Sequence, residues 1–164
     1  MHLKDGQTGE MEVSAVRFLI AGKQQQAMQD MERALSRMRG TVERETDGAK
    51  ALDKCMEDTF DCLVLDADSL WVDAVQVICG IRDAGIETPI LLLVEKGHRR
   101  LGVAALNAGA DDFLMKPFAL DEFAARARAL ARRCAERAPN CLLWGTCRST
   151  SRRLICRWAR KWRI

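Results

Sequence analysis

Phe60-Asp61-Cys62-Leu63-Val64-Leu65-Asp66 is the stretch that decides the fold. Its apolar residues follow one another without alternation and end on a carboxylate. A run this short and this uniformly apolar reads as a strand covered on both faces, the signature of a parallel sheet under helices. Working outward, two more such runs appear. Val16-Arg17-Phe18-Leu19-Ile20-Ala21 is closed by Gly22, and Pro89-Ile90-Leu91-Leu92-Leu93-Val94 follows Thr88.

The segments between these runs carry helical spacing. Met28, Met31, Ala34, Leu35 and Met38 share one face, with Gly40 as the expected stop. Thr41–Thr46 is a weaker strand, Asp47-Gly48 a turn, and Ala49, Leu52, Cys55 and Met56 mark a short helix. A third helix turns Val75, Ile78 and Ile81 inward and ends near Gly85. A fourth is expected on Val103, Ala104, Leu106 and Asn107, ended by Gly109. Phe113-Leu114-Met115 is a short strand, and Leu120, Phe123, Ala124, Ala127, Leu130 and Ala131 form the last apolar stripe.

Five strands thus alternate with five helices. Right-handed crossovers turn that order into an α/β fold, a doubly wound five-stranded parallel sheet with helices on both faces. Functional sites in such sheets lie beyond the carboxyl ends of the strands. Gly22, Lys23, Asp66, Val94, Glu95 and Lys116 are therefore expected around one crevice. Alone, Asp66 reads equally as a helix cap or turn carboxylate, and Lys116 as a surface lysine ahead of a chain-redirecting Pro117. Together at one sheet edge they can form an ion pair, and the lysine can neutralise a phosphoryl group carried on the aspartate.

Composition narrows the class. The chain has 164 residues, 48% hydrophobic and 30% charged, with 5% aromatics and no Tyr. That is one ordinary globular domain with an aliphatic core. No apolar run approaches the roughly 18 residues of a membrane span, and the polar start lacks a signal-peptide pattern, so the expected location is cytoplasmic. Charge divides the chain. Residues 1–133 hold 18 Lys/Arg against 22 Asp/Glu, whereas 134–164 hold eight against one. The expected organisation is a disordered lead over 1–15, a folded domain over 16–133 and a basic Cys/Trp/Arg-rich tail over 134–164. Of seven cysteines, Cys55, Cys62 and Cys79 fall in apolar patterns and are expected as small core residues. The four tail cysteines form no C-x-x-C pair and both histidines are distant, which argues against zinc.

The segment Gly109-Ala110-Asp111-Asp112-Phe113-Leu114-Met115-Lys116-Pro117-Phe118 closely resembles the last strand and loop of bacterial response-regulator receiver domains. Leu63-Val64-Leu65-Asp66 is similar to their phospho-acceptor strand, and Thr88-Pro89-Ile90-Leu91 to the start of their fourth strand. The resemblance covers about residues 16–133 and implies a flavodoxin-like fold in a two-component phosphorelay. It implies Asp66 as phospho-acceptor, Lys116 as the phosphoryl-contacting lysine and Phe113 as the switch aromatic. It implies a sensor histidine kinase as partner. In one class of these regulators the fourth helix, fifth strand and fifth helix form a homodimer, and Asp111, Asp112, Arg126 and Arg133 stand where that class places cross-dimer salt bridges. A solvated charged face is the competing reading of those four.

Two departures bear on function. The acidic pair that holds Mg²⁺ in the family is replaced by Gly22 and Lys23, leaving Asp66 and Asp68 as the residual metal carboxylates, with Glu95 nearby. The hydroxyl residue at the end of the fourth strand is replaced by Val94, which has no donor. A unit-charge contact at about 4 Å is worth of order 4 kcal/mol at an effective dielectric near 20. Losing both carboxylates is therefore expected to weaken Mg²⁺ binding by orders of magnitude, with Lys23 standing in for the cation. An atypical receiver with weak or absent Mg²⁺-dependent phosphorylation at Asp66 is expected.

The alternative is a transcription regulator that binds DNA as a dimer through a missing or truncated winged-helix domain. The 31-residue tail is too short for that domain and is expected to be disordered. Arg152, Arg153, Arg157, Arg160 and Lys161 beside Leu154, Ile155, Trp158 and Trp162 also suit a basic amphipathic helix for nucleic acid or an anionic membrane surface. A frameshift offers a third account. With free codon choice, Gly145–Arg152 can be encoded so that the string read two bases later spells Asp-Leu-Ser-Ile-Asp-Leu-Ala, similar to the opening strand of a winged-helix domain. An enzyme is disfavoured, because the chain has no G-x-x-x-x-G-K-[ST] loop, no G-x-G-x-x-G after the first strand and no nucleophile–base pair.

Overall fold

The computed structural model describes residues 15–68 and 73–137, with side chains described as far as Cys134. The N-terminal lead before residue 15 and the tail beyond residue 137 lie outside the described residues, as do the expectations attached to them. The elements run β1 (Val16–Ala21), α1 (Gln25–Ser36), β2 (Gly40–Glu45), α2 (Gly48–Glu57), β3 (Cys62–Asp66), α3 (Ala74–Asp83), β4 (Ile90–Glu95), α4 (Arg99–Ala108), β5 (Asp112–Lys116) and α5 (Leu120–Arg137). All pairings are parallel, in the order β2-β1-β3-β4-β5. The order reverses between β1 and β3, which opens a crevice at their carboxyl ends.

The pleat sorts the unbroken apolar runs into two cores. Leu19, Leu63, Leu65, Ile90, Leu92 and Val94 face α2, α3 and α4, meeting Ala51, Cys55, Val77, Ile78, Ile81 and Ala105. Phe18, Ile20, Cys62, Val64, Leu91, Leu93 and Leu114 face α1 and α5, meeting Met28, Met31, Leu35, Phe123, Ala127 and Leu130. Uniformly apolar strands are the direct consequence of helices on both sides. Asp47 and Asp73 cap α2 and α3 by accepting from the backbone N–H of Ala49 and Val75.

Several local expectations need correction. Gly40 opens β2 instead of ending α1, and Arg39 takes the left-handed turn before it at φ 59°. A Cβ at position 40 would lie 2.7 Å from the Phe18 ring, so packing, not chain termination, requires glycine. Cys79 is exposed, because the buried face of α3 is Ala74, Val77, Ile78 and Ile81. Leu120 is exposed at the start of α5.

The α4 face was expected on the wrong side. Its buried residues are Gly102 and Ala105, whereas Val103 and Leu106 are 48% and 38% exposed. The cause is Phe113, whose ring fills the space beside Gly102. A Cβ there would meet its Cδ2 at 2.7 Å. The largest group at that contact comes from β5, so the helix contributes its smallest residues.

Candidate functional site

The strand register assembles the crevice. Asp66 ends β3, Glu95 ends β4 and Lys116 ends β5. Glu95 lies directly across from Lys116 in the β4–β5 pairing. β4 separates β3 from β5, so a side chain from β5 must span two strand spacings, roughly 10 Å, to reach Asp66. The extended Lys116 side chain, the Asp66 carboxylate and the hydrogen bond between them cover that span together. Lys116 Nζ donates to Asp66 Oδ1 at 2.5 Å. Asp66 is 2% exposed and is the buried charged residue of the described core. Burial of one carboxylate in a largely apolar sheet requires such a partner. The Lys116–Pro117 peptide is cis.

Two further carboxylates approach the same ammonium. Lys116 Nζ is 3.7 Å from Asp68 Oδ2 and 3.9 Å from Glu95 Oε1. The other Asp68 oxygen, Oδ1, lies 3.2 Å from His98 Nδ1, at the start of α4. One ammonium therefore stands amid three carboxylates from three chain segments. The sequence offers Asp68 only as a weak metal ligand, and His98 enters there only as a residue distant from the tail cysteines.

At the other rim, Gly22 is buried and its N–H donates to Glu45 O at 2.9 Å, while Lys23 is exposed at the head of the β1–α1 turn. Neither side chain supplies an oxygen. Mg²⁺ takes a near-octahedral set of hard oxygens, usually one or two carboxylates with waters. Among the described residues no three His, Cys, Asp or Glu side chains gather as a metal-ligating group. The carboxylates of Asp66, Asp68 and Glu95 each lie within 4 Å of the Lys116 ammonium, and this arrangement does not fit Mg²⁺. Val94 is fully buried and packs in the α2–α3–α4 core. Phe113 is part-buried against Gly102.

The residues expected on a dimer face divide. Asp111 has partners within its own protomer. Its Oδ2 accepts from Arg82 Nη2 at 2.9 Å and from Ile90 N at 2.9 Å. Arg82 also donates to the carbonyls of Ile86 (2.7 Å), Thr88 (2.9 Å) and Gly109 (2.9 Å). No local sequence pattern signals this hub, because its partners are divided between two loops, α3–β4 and α4–β5. Asp112 Oδ2 accepts from Arg126 Nη1 at 2.8 Å, and Arg126 also binds Glu122. Those two carboxylates hold the Arg126 guanidinium above its ordinary pKa. Arg133 is exposed. Beside this group, Val103, Leu106 and Met115 present exposed apolar side chains from α4 and β5.

A doubly wound sheet with a buried aspartate at one strand end, bound by a lysine two strands away, defines a receiver-type signalling fold. The response regulator receiver domain family matches residues 18–128, more than half of the chain, and the chain belongs to that family. It is 41% identical over 119 residues to Response regulator MprA of Mycobacterium bovis strain BCG, covering 73% of this chain and 52% of that protein. The match to MprA of Mycobacterium ulcerans has the same identity and covers 51% of it. The chain thus spans about half the length of the curated relatives it matches. Among solved structures, the receiver domain of Francisella response regulator 1452 superposes with a TM-score of 0.67 at 24% identity, over 72% of this chain and 98% of that one. A putative response regulator from Chloroflexus aurantiacus gives 0.67 at 26% identity, over 72% and 98%. The protein is the receiver domain of a two-component response regulator. Among the described residues no helix is long and apolar enough to cross a membrane.

Proposed function

We propose that this receiver is an atypical one, in which Mg²⁺-dependent phosphorylation of Asp66 is weak or absent and regulation runs through protein contacts. The observation that carries this reading is the cation balance of the crevice. Gly22 and Lys23 offer no oxygen ligand where the family resemblance implies an acidic pair. The neighbouring carboxylates Asp66, Asp68 and Glu95 already share the Lys116 ammonium. A phosphoryl group on Asp66 adds negative charge where a divalent ion would ordinarily compensate it. Val94 adds no hydrogen bond, and Lys116 is the remaining phosphoryl contact. The protein acts as a signalling module, not as an enzyme, in the cytoplasm, with a sensor histidine kinase or other signalling protein as its partner.

The same reading includes a homodimer through α4, β5 and α5. Val103, Leu106 and Met115 supply its apolar centre, with Asp112, Arg126 and Arg133 at the rim. Exposed ion pairs contribute little each, so they set register more than affinity. A second reading, a transcription regulator acting on DNA, is favoured by the relatives' length, since about half of each lies outside the match. Its nucleic-acid contacts then belong to the tail or to an effector domain beyond the receiver. Salt-sensitive binding of the full chain to duplex DNA supports it, and binding indifferent to salt counts against it.

Intact-mass analysis after incubation with a small acyl-phosphate donor and Mg²⁺, beside an Asp66→Asn control, tests the first reading. We expect little or no phosphoryl adduct on either protein. Stoichiometric loading of the unsubstituted chain alone refutes the reading.

A further inference from the structure

The edge strand β2 sorts its charges by face. Side chains alternate along a strand, and Glu43 and Glu45 turn toward α2, where Lys54 Nζ lies 3.6 and 3.7 Å from their carboxylates. Val42 packs with the α1–α5 core, so Arg44, two residues on, shares the α1 side. There its Nε is 3.3 Å from Glu32 Oε2. Beside that pair α1 presents Arg33 and Arg37, which are neighbours on one helix face. The three arginines line one groove of about 600 Å³, with Ser36 and Gln29. Among the described residues the Arg37 guanidinium has no ion-pair partner. Three guanidiniums against the Glu32 carboxylate leave the groove two units positive, and Asp30, 3.5 Å from Arg33 but outside the lining, brings this to one. The negative end of α1 favours a cation in its last turn, which accounts for Arg33. It does not account for Arg44, which comes from another element.

We propose that this groove binds a small ligand carrying a pyrophosphate group. A planar guanidinium fork matches two oxygens of a phosphate, and three forks around one opening suit two adjacent phosphates. Ser36 adds a hydroxyl donor and Gln29 an amide donor. Small-molecule sites occupy roughly 300–1,000 Å³, and this groove falls inside that range. No aromatic side chain lines it, so nothing there stacks on a base, and recognition rests on the phosphates. Glu32 is a positioning residue, which holds the Arg44 guanidinium against α1. None of the crevice residues lines the groove. The receiver thereby has an input that does not pass through Asp66.

Calorimetric titration of the full chain with inorganic pyrophosphate, in buffer free of divalent ions, tests this. One saturable site is expected, with inorganic phosphate at least about tenfold weaker. Arg33→Gln/Arg37→Gln should weaken pyrophosphate binding at least about tenfold. Arg99→Gln/Arg100→Gln removes the same charge from the exposed start of α4 and should leave the affinity unchanged, as should Asp66→Asn. Circular dichroism confirms the fold of each variant. A folded wild-type chain without saturable binding overturns the proposal. So does binding that survives the loss of Arg33 and Arg37, because the anion then sits elsewhere on the chain. Equal losses in the two double variants overturn it as well, since total charge and not the groove then decides. Inorganic phosphate binding as tightly as pyrophosphate removes the two-phosphate assignment. Duplex DNA whose affinity falls equally with Arg33→Gln/Arg37→Gln reassigns the groove to a phosphodiester backbone and overturns the small-ligand assignment.

Discussion

Strands β4 and β5 carry an ionic network at each end, and the two are built on opposite plans. At their amino ends Arg82 is closed. Its guanidinium donates to three backbone carbonyls and to Asp111, and the same carboxylate oxygen accepts from Ile90 N. At their carboxyl ends Lys116 is outnumbered by Asp66, Asp68 and Glu95. The first network balances charge and gives partners to part-buried backbone groups. The second concentrates charge of one sign. Stability is expected to depend on the first network, and chemistry on the second.

Arg82→Ala gives the largest expected effect and breaks the comparison if it fails. It strips a donor from three carbonyls and leaves Asp111 with the Ile90 N–H alone, so urea denaturation should show a loss of about 3 kcal/mol. Arg82→Lys should recover only part, because an ammonium lacks the planar fork. A loss below that of substitutions in the crevice removes the distinction between the two ends. The substitution also reaches Cys55. Burial pushes the Cys55 thiol up from about 9 to about 11, and Arg82 pulls in the opposite direction. Since the folded value lies above the unfolded one, the stabilisation from the buried neutral thiol is present below about pH 9 and is lost as pH rises toward 11. Denaturation midpoints at pH 8 and pH 10 should show that decline. Cys55→Ala should flatten it.

Gly102→Ala comes next. The added methyl would lie 2.7 Å from Phe113 Cδ2. The ring must shift, which costs about 1–2 kcal/mol, partly offset by the roughly 1 kcal/mol that alanine gains over glycine in a helix. A small net loss is expected in the wild type. In a Phe113→Ala background the sign should reverse, and a double-mutant cycle by thermal denaturation reads that reversal. Equal effects in both backgrounds show that Phe113 does not set the α4 face.

Asp66→Asn should be the mildest of the three, within about 1 kcal/mol. The amide oxygen still accepts from Lys116, which keeps Asp68 and Glu95. A loss comparable with that of Arg82→Ala makes the Asp66–Lys116 pair a structural clasp like its counterpart at the other end.

What the sequence displayed follows the same division. Strands covered on both faces write themselves as apolar runs, and Asp66 and Lys116 stand out as charges that interrupt or end them. The α4 face was not legible, because Gly102 matters for the ring it admits from another element, and Val103 and Leu106 mimic a core stripe while facing outward. Cys79 misled for the same reason. Asp68 and Glu95 were visible as nearby acids, but their convergence on one nitrogen depends on the β4–β5 register. Arg82 left little signal, since three of its hydrogen bonds run to backbone carbonyls that carry no side-chain identity and the fourth goes to Asp111, 29 residues away.

The central claim is that an ammonium, not a divalent ion, balances the charge around Asp66. Restoring the acidic pair tests it most directly. Phosphoryl incorporation from a small acyl-phosphate donor with Mg²⁺ should be compared by intact mass in the wild-type chain and in Gly22→Asp/Lys23→Asp. The account predicts an adduct on the double variant, dependent on Mg²⁺ and abolished by adding Asp66→Asn, with little or none on the wild type. Equal loading of the wild type and the double variant would contradict it.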